Sequence, residues 1–169
     1  LNPSVPANTV PQFIAYAKTN PGKINMGSSG TGTSIHMSGE LFKSMTGIDM
    51  THIPYKGSTA AHPDLISGQT AMMFDTVAAV MQHVKSGAVK ALAVTTPKRA
   101  SIAPDVPTMA EAGLPGYETS IWYGMFAPAG TPAPVIAQVH DEIAAIIAAP
   151  DMQKRFDTQG ILMRNMSSA

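Results

Sequence analysis

Apolar positions recur along this chain in two alternating rhythms. From Val10 to Lys18 the residues Phe13, Ile14 and Ala17 share one helical face, and Thr9 stands where an N-cap belongs. Pro21-Gly22 ends that helix. Ile24–Met26 predicts a short strand, and Thr33–Met45 returns to the helical spacing. There Met37, Leu41, Phe42 and Met45 are predicted inward and His36, Glu40 and Lys43 on the wet side, with Gly47 following the helix end. Met50–Ile53 predicts the next strand. A short helix lies near Ala61–Ile66, where Pro63 is tolerable only in the first turn. Thr70–Phe74 predicts a strand, and Val77–Lys85 a helix closed by Gly87. Val89–Thr95 is mostly apolar, is flanked by breakers, and is the clearest strand candidate of all.

Beyond it, Pro97, Pro104 and Pro107 mark a surface crossing, and Thr108 caps a single turn that Gly113 ends. Tyr117–Pro132 is a long β-prone run that finishes in a Pro/Gly hinge. A helix follows over Pro134–Ala148, with Ile136, Val139, Ile143, Ile146 and Ile147 in one stripe. A last helix, Met152–Gln159, leads to a strand at Ile161–Met163. Strands alternating with helices predict an α/β fold with a mostly parallel sheet flanked by helices. The stripe needs a partner surface that the following chain is too short to supply, so part of a second domain is expected to be missing.

Composition narrows the function classes. The 169 residues carry no net charge, and no Lys/Arg run makes a local basic patch, so nucleic acid is not an expected partner. Only 13% of residues are charged, which predicts extensive buried surface. No apolar stretch approaches the length of a membrane-spanning helix. There is no cysteine, so disulfides, thiolate chemistry and Cys-based zinc sites are excluded. The chain begins Leu1-Asn2-Pro3 with no signal peptide, which predicts a removed signal or a segment of a longer protein.

The candidate chemistry centres on "GSSGTGTS", Gly27 to Ser34, between a strand and a helix. A P-loop would need a lysine directly before the helix, and Lys43 is more than two turns along it. A dinucleotide fingerprint starting at Gly30 and Gly32 would need a third glycine where Ile35 stands. A hydrolase elbow fails at Thr31. What remains is an uncharged anion site. Glycines turn successive N–H groups toward one point, the helix start adds its own, and Ser28, Ser29, Thr31, Thr33 and Ser34 add hydroxyls. That suits a carboxylate better than a phosphate, each charge-assisted bond contributing roughly 1.5–3 kcal/mol. The plainer reading is a helix cap with a tight turn.

Other residues carry two readings each. Tyr55-Lys56-Gly57 follows a strand; Gly57 offers an amide and Tyr55 a ring or hydroxyl, or the three make an ordinary turn. Asp75 ends the strand "TAMMF", where it either receives a ligand amine or hydroxyl or caps the next helix. Trp122 and Tyr123 are expected in the core, with a cleft wall as the alternative. The five histidines show no metal-ligand spacing, so neither metal nor cofactor is expected. His36 lies in the first turn after the loop and either reaches an anion or faces solvent. A small hydrolase or transferase using Ser28 or Ser29 with His36 is the alternative to a binding protein, without a third group to support it.

With these stretches placed, the chain resembles the Bug-type extracytoplasmic solute receptors of tripartite tricarboxylate transporters. The stretches that carry the resemblance are "NPSVPANTVPQFIAYAKTNPGKINMGSSGTGTSIHMSGELF", "THIPYKGSTAAHPDLISGQTAMMFD", "SGAVKALAVTTPKRASIAPDVPTMAEAGLPGYE" and "WYGMFAPAGTPAPV". The resemblance implies a type II periplasmic-binding-protein fold, two α/β domains that close on a ligand, with no enzymatic activity and no cofactor. It implies a periplasmic location, a small carboxylate ligand, and delivery to membrane permease subunits. It maps the ligand site to Ser28, Ser29, Gly30, Thr31, Gly32, Thr33 and Ser34, with His36, Tyr55, Gly57 and Asp75. Family members are longer; residues 1–127 resemble their second domain, and 128–169 the helices returning to a largely missing first one. The apolar stripe of the 135–147 helix is therefore expected either to form a homo-oligomer with another copy of the chain or to pack onto this domain in a way the family does not use. His62-Pro63 departs from the apolar pair usual at that turn.

Overall fold

The computed structural model describes residues 1–161 and 163. Two compact units are present: Leu1–Ile121, and a second from Trp122 onward. The first is built around three parallel strands, β1 (Asn25–Ser28), β2 (Thr51–Pro54) and β3 (Met72–Met73), in the order β2-β1-β3. Asn25 pairs with Thr51 and Ser28 with Pro54 on one side, and Met26 with Met72 on the other.

Helix α1 (Val10–Lys18) starts where the sequence places it, the Thr9 hydroxyl accepting the Gln12 N–H. Helix α2 (Ser34–Thr46) is capped by Thr33 and closed by Gly47. Phe13 of α1 and Phe42 of α2 meet at ring centroids 6.1 Å apart over Met26, Met50 and Met72, and Tyr117 closes edge-on against Phe42. Burying each such side chain contributes about 1.5–3 kcal/mol. The face of α2 turned inward is not the expected one. Ile35, Ser38, Gly39, Phe42 and Thr46 are buried, whereas Met37, Leu41 and Met45 are exposed. The helix rests on its small residues: Gly39 lies directly against the Met26 thioether, which brings α2 close to β1.

Helix α3 (Ser58–Ser67) begins earlier than expected, so Pro63 sits inside it rather than in its first turn. Helix α4 (Val77–Lys85) follows β3. The expected strand Val89–Thr95 does not form. Lys90 N–H donates to Leu1 O at 2.8 Å, and Val94 bridges Thr108 through bonds to Pro107 O and from Met109 N–H. The segment therefore meets two partners in turn and builds a ladder with neither. Thr108 and Glu111 exchange side-chain bonds to each other's N–H, a reciprocal cap on an irregular turn.

The β-prone run also forms no strand. Thr119 N–H reaches Thr95 O at 3.1 Å, but Trp122, Tyr123, Met125 and Phe126 are exposed, so Trp122 and Tyr123 are not the core residues expected. In the second unit, α5 (Ala133–Ala148) and α6 (Pro150–Thr158) are helical, and α5 buries none of its apolar stripe. The expected strand over 161–163 includes Leu162, which lies outside the described residues. Among the described residues no helix is long and apolar enough to cross a membrane.

Candidate functional site

The three parallel strands end together, so their following turns share one sheet edge. β1 runs into the glycine loop, β2 into Tyr55-Lys56-Gly57, and β3 into Phe74-Asp75. Tyr55 N–H donates to Ser28 O at 3.0 Å and Gly57 N–H to Ser29 O at 3.3 Å, which ties the second turn to the loop.

The loop needs its glycines at two points. Gly30 has φ +132°, and a β-carbon there would lie 3.4 Å from the Tyr55 carbonyl oxygen. Gly32 has φ +79°, in the left-handed region. Between them the chain folds back on Thr33, whose hydroxyl donates to Gly30 O at 2.7 Å and accepts from Ser29 Oγ at 3.0 Å. Gly30 N–H donates to Ser28 Oγ at 3.1 Å and Gly32 N–H to His36 Nδ1 at 3.0 Å. With those bonds made, the amides of Thr31, Ser34 and Ile35 meet no protein acceptor among the described residues. Ser34 and Ile35 are free donors of a helix start, Thr31 belongs to the loop before it, and Thr31 and Ser34 are exposed. No Lys or Arg occurs from Ser28 to Ser34.

Ser28 has an internal place. It is fully buried, and its hydroxyl lies 2.6 Å from His52 Nε2. His36 is not a simple wet-face residue either: its ring stacks on His52 with centroids 3.8 Å apart, and its Nε2 lies 3.5 Å from Glu40 Oε1. Burial, then the neighbouring His36, lowers the pKa of His52. The Lys43 ammonium, bonded to Glu40 at 2.9 Å, holds the Glu40 carboxyl below the usual carboxylate range.

Tyr55 donates its hydroxyl to Asp64 at 2.6 Å; burial first, then that contact, pushes its pKa up to about 12. Asp75 is not the N-cap of the next helix. Its side chain is almost fully buried, with one oxygen 2.6 Å from His62 Nε2 and the other accepting Thr76 N–H. The capping residue of α4 is Thr76. His62, unexplained in the sequence, is thus the partner of Asp75.

Sequence reasoning missed His52 and His62. The signal for His52 was parity: Met26 pairs with His52 and Ser28 with Pro54, so Ser28 and His52 are diagonal neighbours on one face. A groove of about 300 Å³ starts at Ser34 and runs past Met37, Ser38 and Leu41, with Thr119 and Ser120 on its other side. Among the described residues no group of three or more His, Asp or Glu is placed to hold a metal ion.

The family model described as tripartite tricarboxylate transporter family receptor matches residues 1–169. The UPF0065 protein in the tcbD-tcbE intergenic region of Pseudomonas sp. is 41% identical over 162 residues, covering 93% of this chain and 48% of that protein. Among solved structures, an R. palustris protein with adipate has a TM-score of 0.88 and 36% identity, covering 94% of this chain and 53% of its own. The periplasmic binding protein BugD has a TM-score of 0.86 and 38% identity, with 94% and 53% covered. MatC from Rhodopseudomonas palustris with bound malate has a TM-score of 0.83 and 29% identity, with 92% and 53% covered. The chain spans about half the length of these proteins.

Proposed function

The chain belongs to the tripartite tricarboxylate transporter receptor family, and on that premise we propose that it grips one carboxylate of a small organic acid, as part of an extracytoplasmic solute receptor. The observation that carries the reading is the set of amides at Thr31, Ser34 and Ile35, which meet no protein acceptor among the described residues and lie in a loop and helix start without a basic residue. A full positive charge is not needed for a monoanionic group when several oriented donors are already in place. Adipate and malate, bound in two structural neighbours, are acids of this class. In this reading Thr33 shapes the loop, Ser34 offers its hydroxyl and amide, and Gly57 holds the adjoining turn. Ser28, Tyr55 and Asp75 support the site from within, since their polar atoms are already engaged.

The receptor delivers its ligand unaltered to membrane permease subunits in the periplasm; a neighbour described as a periplasmic binding protein supports that location. Residues 1–127 form the ligand-binding part, and 128–169 the part that returns to a first domain. The apolar stripe of α5, with Val135, Ile136, Val139 and Ile146 exposed, is the surface on which a second copy of the chain would pair.

A hydrolase is not favoured. His36 Nδ1 is occupied by Gly32 N–H and pairs with neither serine, and the serine that does meet a histidine, Ser28, is sealed from solvent. Calorimetric titration with adipate and malate tests the proposal, with the acid recovered unchanged after hours. Replacing Thr33 and Ser34 together by Ala is expected to weaken binding by roughly tenfold to a hundredfold, through loss of the Ser34 hydroxyl bond to the ligand and of the Thr33 bonds that shape the loop. Unaltered affinity in that variant would defeat the site assignment.

A further inference from the structure

We propose that the stacked His36–His52 pair is the positioning device of the carboxylate loop, holding it while both rings are neutral and releasing it when the pair takes up a proton; this rests on the carboxylate reading above. The argument starts from who donates to whom. Gly32 N–H can only donate, so His36 Nδ1, 3.0 Å away, must be the acceptor and carry no proton. The ring's proton then sits on Nε2, facing Glu40 Oε1 at 3.5 Å. A second proton has only Nδ1 to go to, and there it sets a donor against the Gly32 donor. The bond that folds the loop back on its helix is lost.

His52 makes the same pair sensitive from the other side. Its Nε2 lies 2.6 Å from Ser28 Oγ, and that oxygen also accepts Gly30 N–H, so the ring braces the start of the loop as His36 braces its end. The ring centroids are 3.8 Å apart, so a charge on either ring opposes a charge on the other. The other charged groups facing the pair are Glu40 and Lys43 from α2, and they are bonded to each other. Their charges largely offset one another, and no other carboxylate is in place to hold an imidazolium there. Burial lowers the pKa of His52 further. The sign follows: the ordered loop binds fewer protons than the released one, so order is complete above the ordinary histidine value of about 6.5 and is lost as pH falls below it.

The opposite sign is the informative alternative. If His36 instead met the ligand as a cation, acidification would strengthen binding. The experiment is therefore a pair of pH series. Nitrogen-detected NMR of the imidazoles and exchange protection of the Gly32 amide are followed from pH 8 to 5.5 without ligand. Adipate and malate affinities are measured from pH 8 to 6, where both acids stay mostly ionised. We expect His36 in the Nε2–H form at pH 8, Gly32 protection falling as the imidazoles titrate, and affinity dropping by pH 6 by at most about fourfold, the limit set by one histidine of ordinary value, about 6.5, in the released loop.

His36→Gln separates positioning from charge. At the start of α1, Gln12 Oε1 accepts Asn8 N–H at 2.8 Å, the same four-residue reach that His36 makes to Gly32. The variant is expected to keep Gly32 protected and to flatten that protection against pH. Constant Gly32 protection through the imidazole titration would overturn the proposal, as would affinity that rises on acidification. If neither acid binds at any pH while Gly32 still follows the imidazoles, the coupling stands and the carboxylate reading fails.

Discussion

His62 Nε2 lies 2.6 Å from Asp75 Oδ2, with the two side chains only 8% and 2% exposed. The pair joins α3 to the end of β3, beneath the edge where the loop sits. Deleting one member strands the other. His62→Leu leaves a buried carboxylate with only the Thr76 amide, and is expected to cost about 3–5 kcal/mol in urea unfolding. The double variant His62→Leu/Asp75→Leu removes both polar groups and is expected to recover much of that loss. A single-variant cost under about 1 kcal/mol, or a double variant as unstable as the sum of the singles, would contradict a coupled buried pair.

The approach of α2 to β1 depends on Gly39. A β-carbon there would overlap the sulfur and methyl of Met26, which is itself fully buried. Gly39→Ala is expected to destabilise by about 1–3 kcal/mol, despite the gain in helix propensity. At this chain length each kcal/mol lowers the melting temperature by roughly 2–4 °C. An unchanged melting temperature would mean that Met26 moves aside freely, and that this contact does not set the approach of α2 to β1.

Two of the four tyrosines are withdrawn from ordinary titration. Burial, with Asp64 beside it, raises Tyr55 to about 12, and burial raises Tyr117 to about 12. A folded value above the unfolded value of about 10 gives stability that is complete below pH 10 and lost as pH rises through the folded value. Ultraviolet difference titration should therefore show a late phase of two tyrosines, which Tyr55→Phe halves. A single transition near pH 10 would contradict the half-buried Tyr55–Asp64 contact.

Local signals were legible where a single residue decides the outcome. Thr9 caps α1 and Gly47 ends α2 as the sequence predicts, and Thr33, expected as the first residue of α2, is its cap. The alternation of strands and helices gave the parallel α/β sheet. The inward face of α2 was misread because the largest apolar residues drew the stripe, while Ser38 and Gly39 are what fit against β1. Val89–Thr95 has strand composition, but a strand also needs a continuous partner, and its partners Leu1 and Thr108 are remote in sequence. The donors of the loop could be read from its glycines. The histidines that brace it could not, since His52 is 24 residues from Ser28 and depends on strand register.

The most direct test of the central claim is the amide spectrum of the protein as adipate is added. If the loop grips the carboxylate, the amides of Thr31, Ser34 and Ile35 shift first and furthest, saturating together with the calorimetric curve. If those three stay still while saturable shifts gather around a basic side chain such as Arg99, the acid is held by charge elsewhere and the account is wrong.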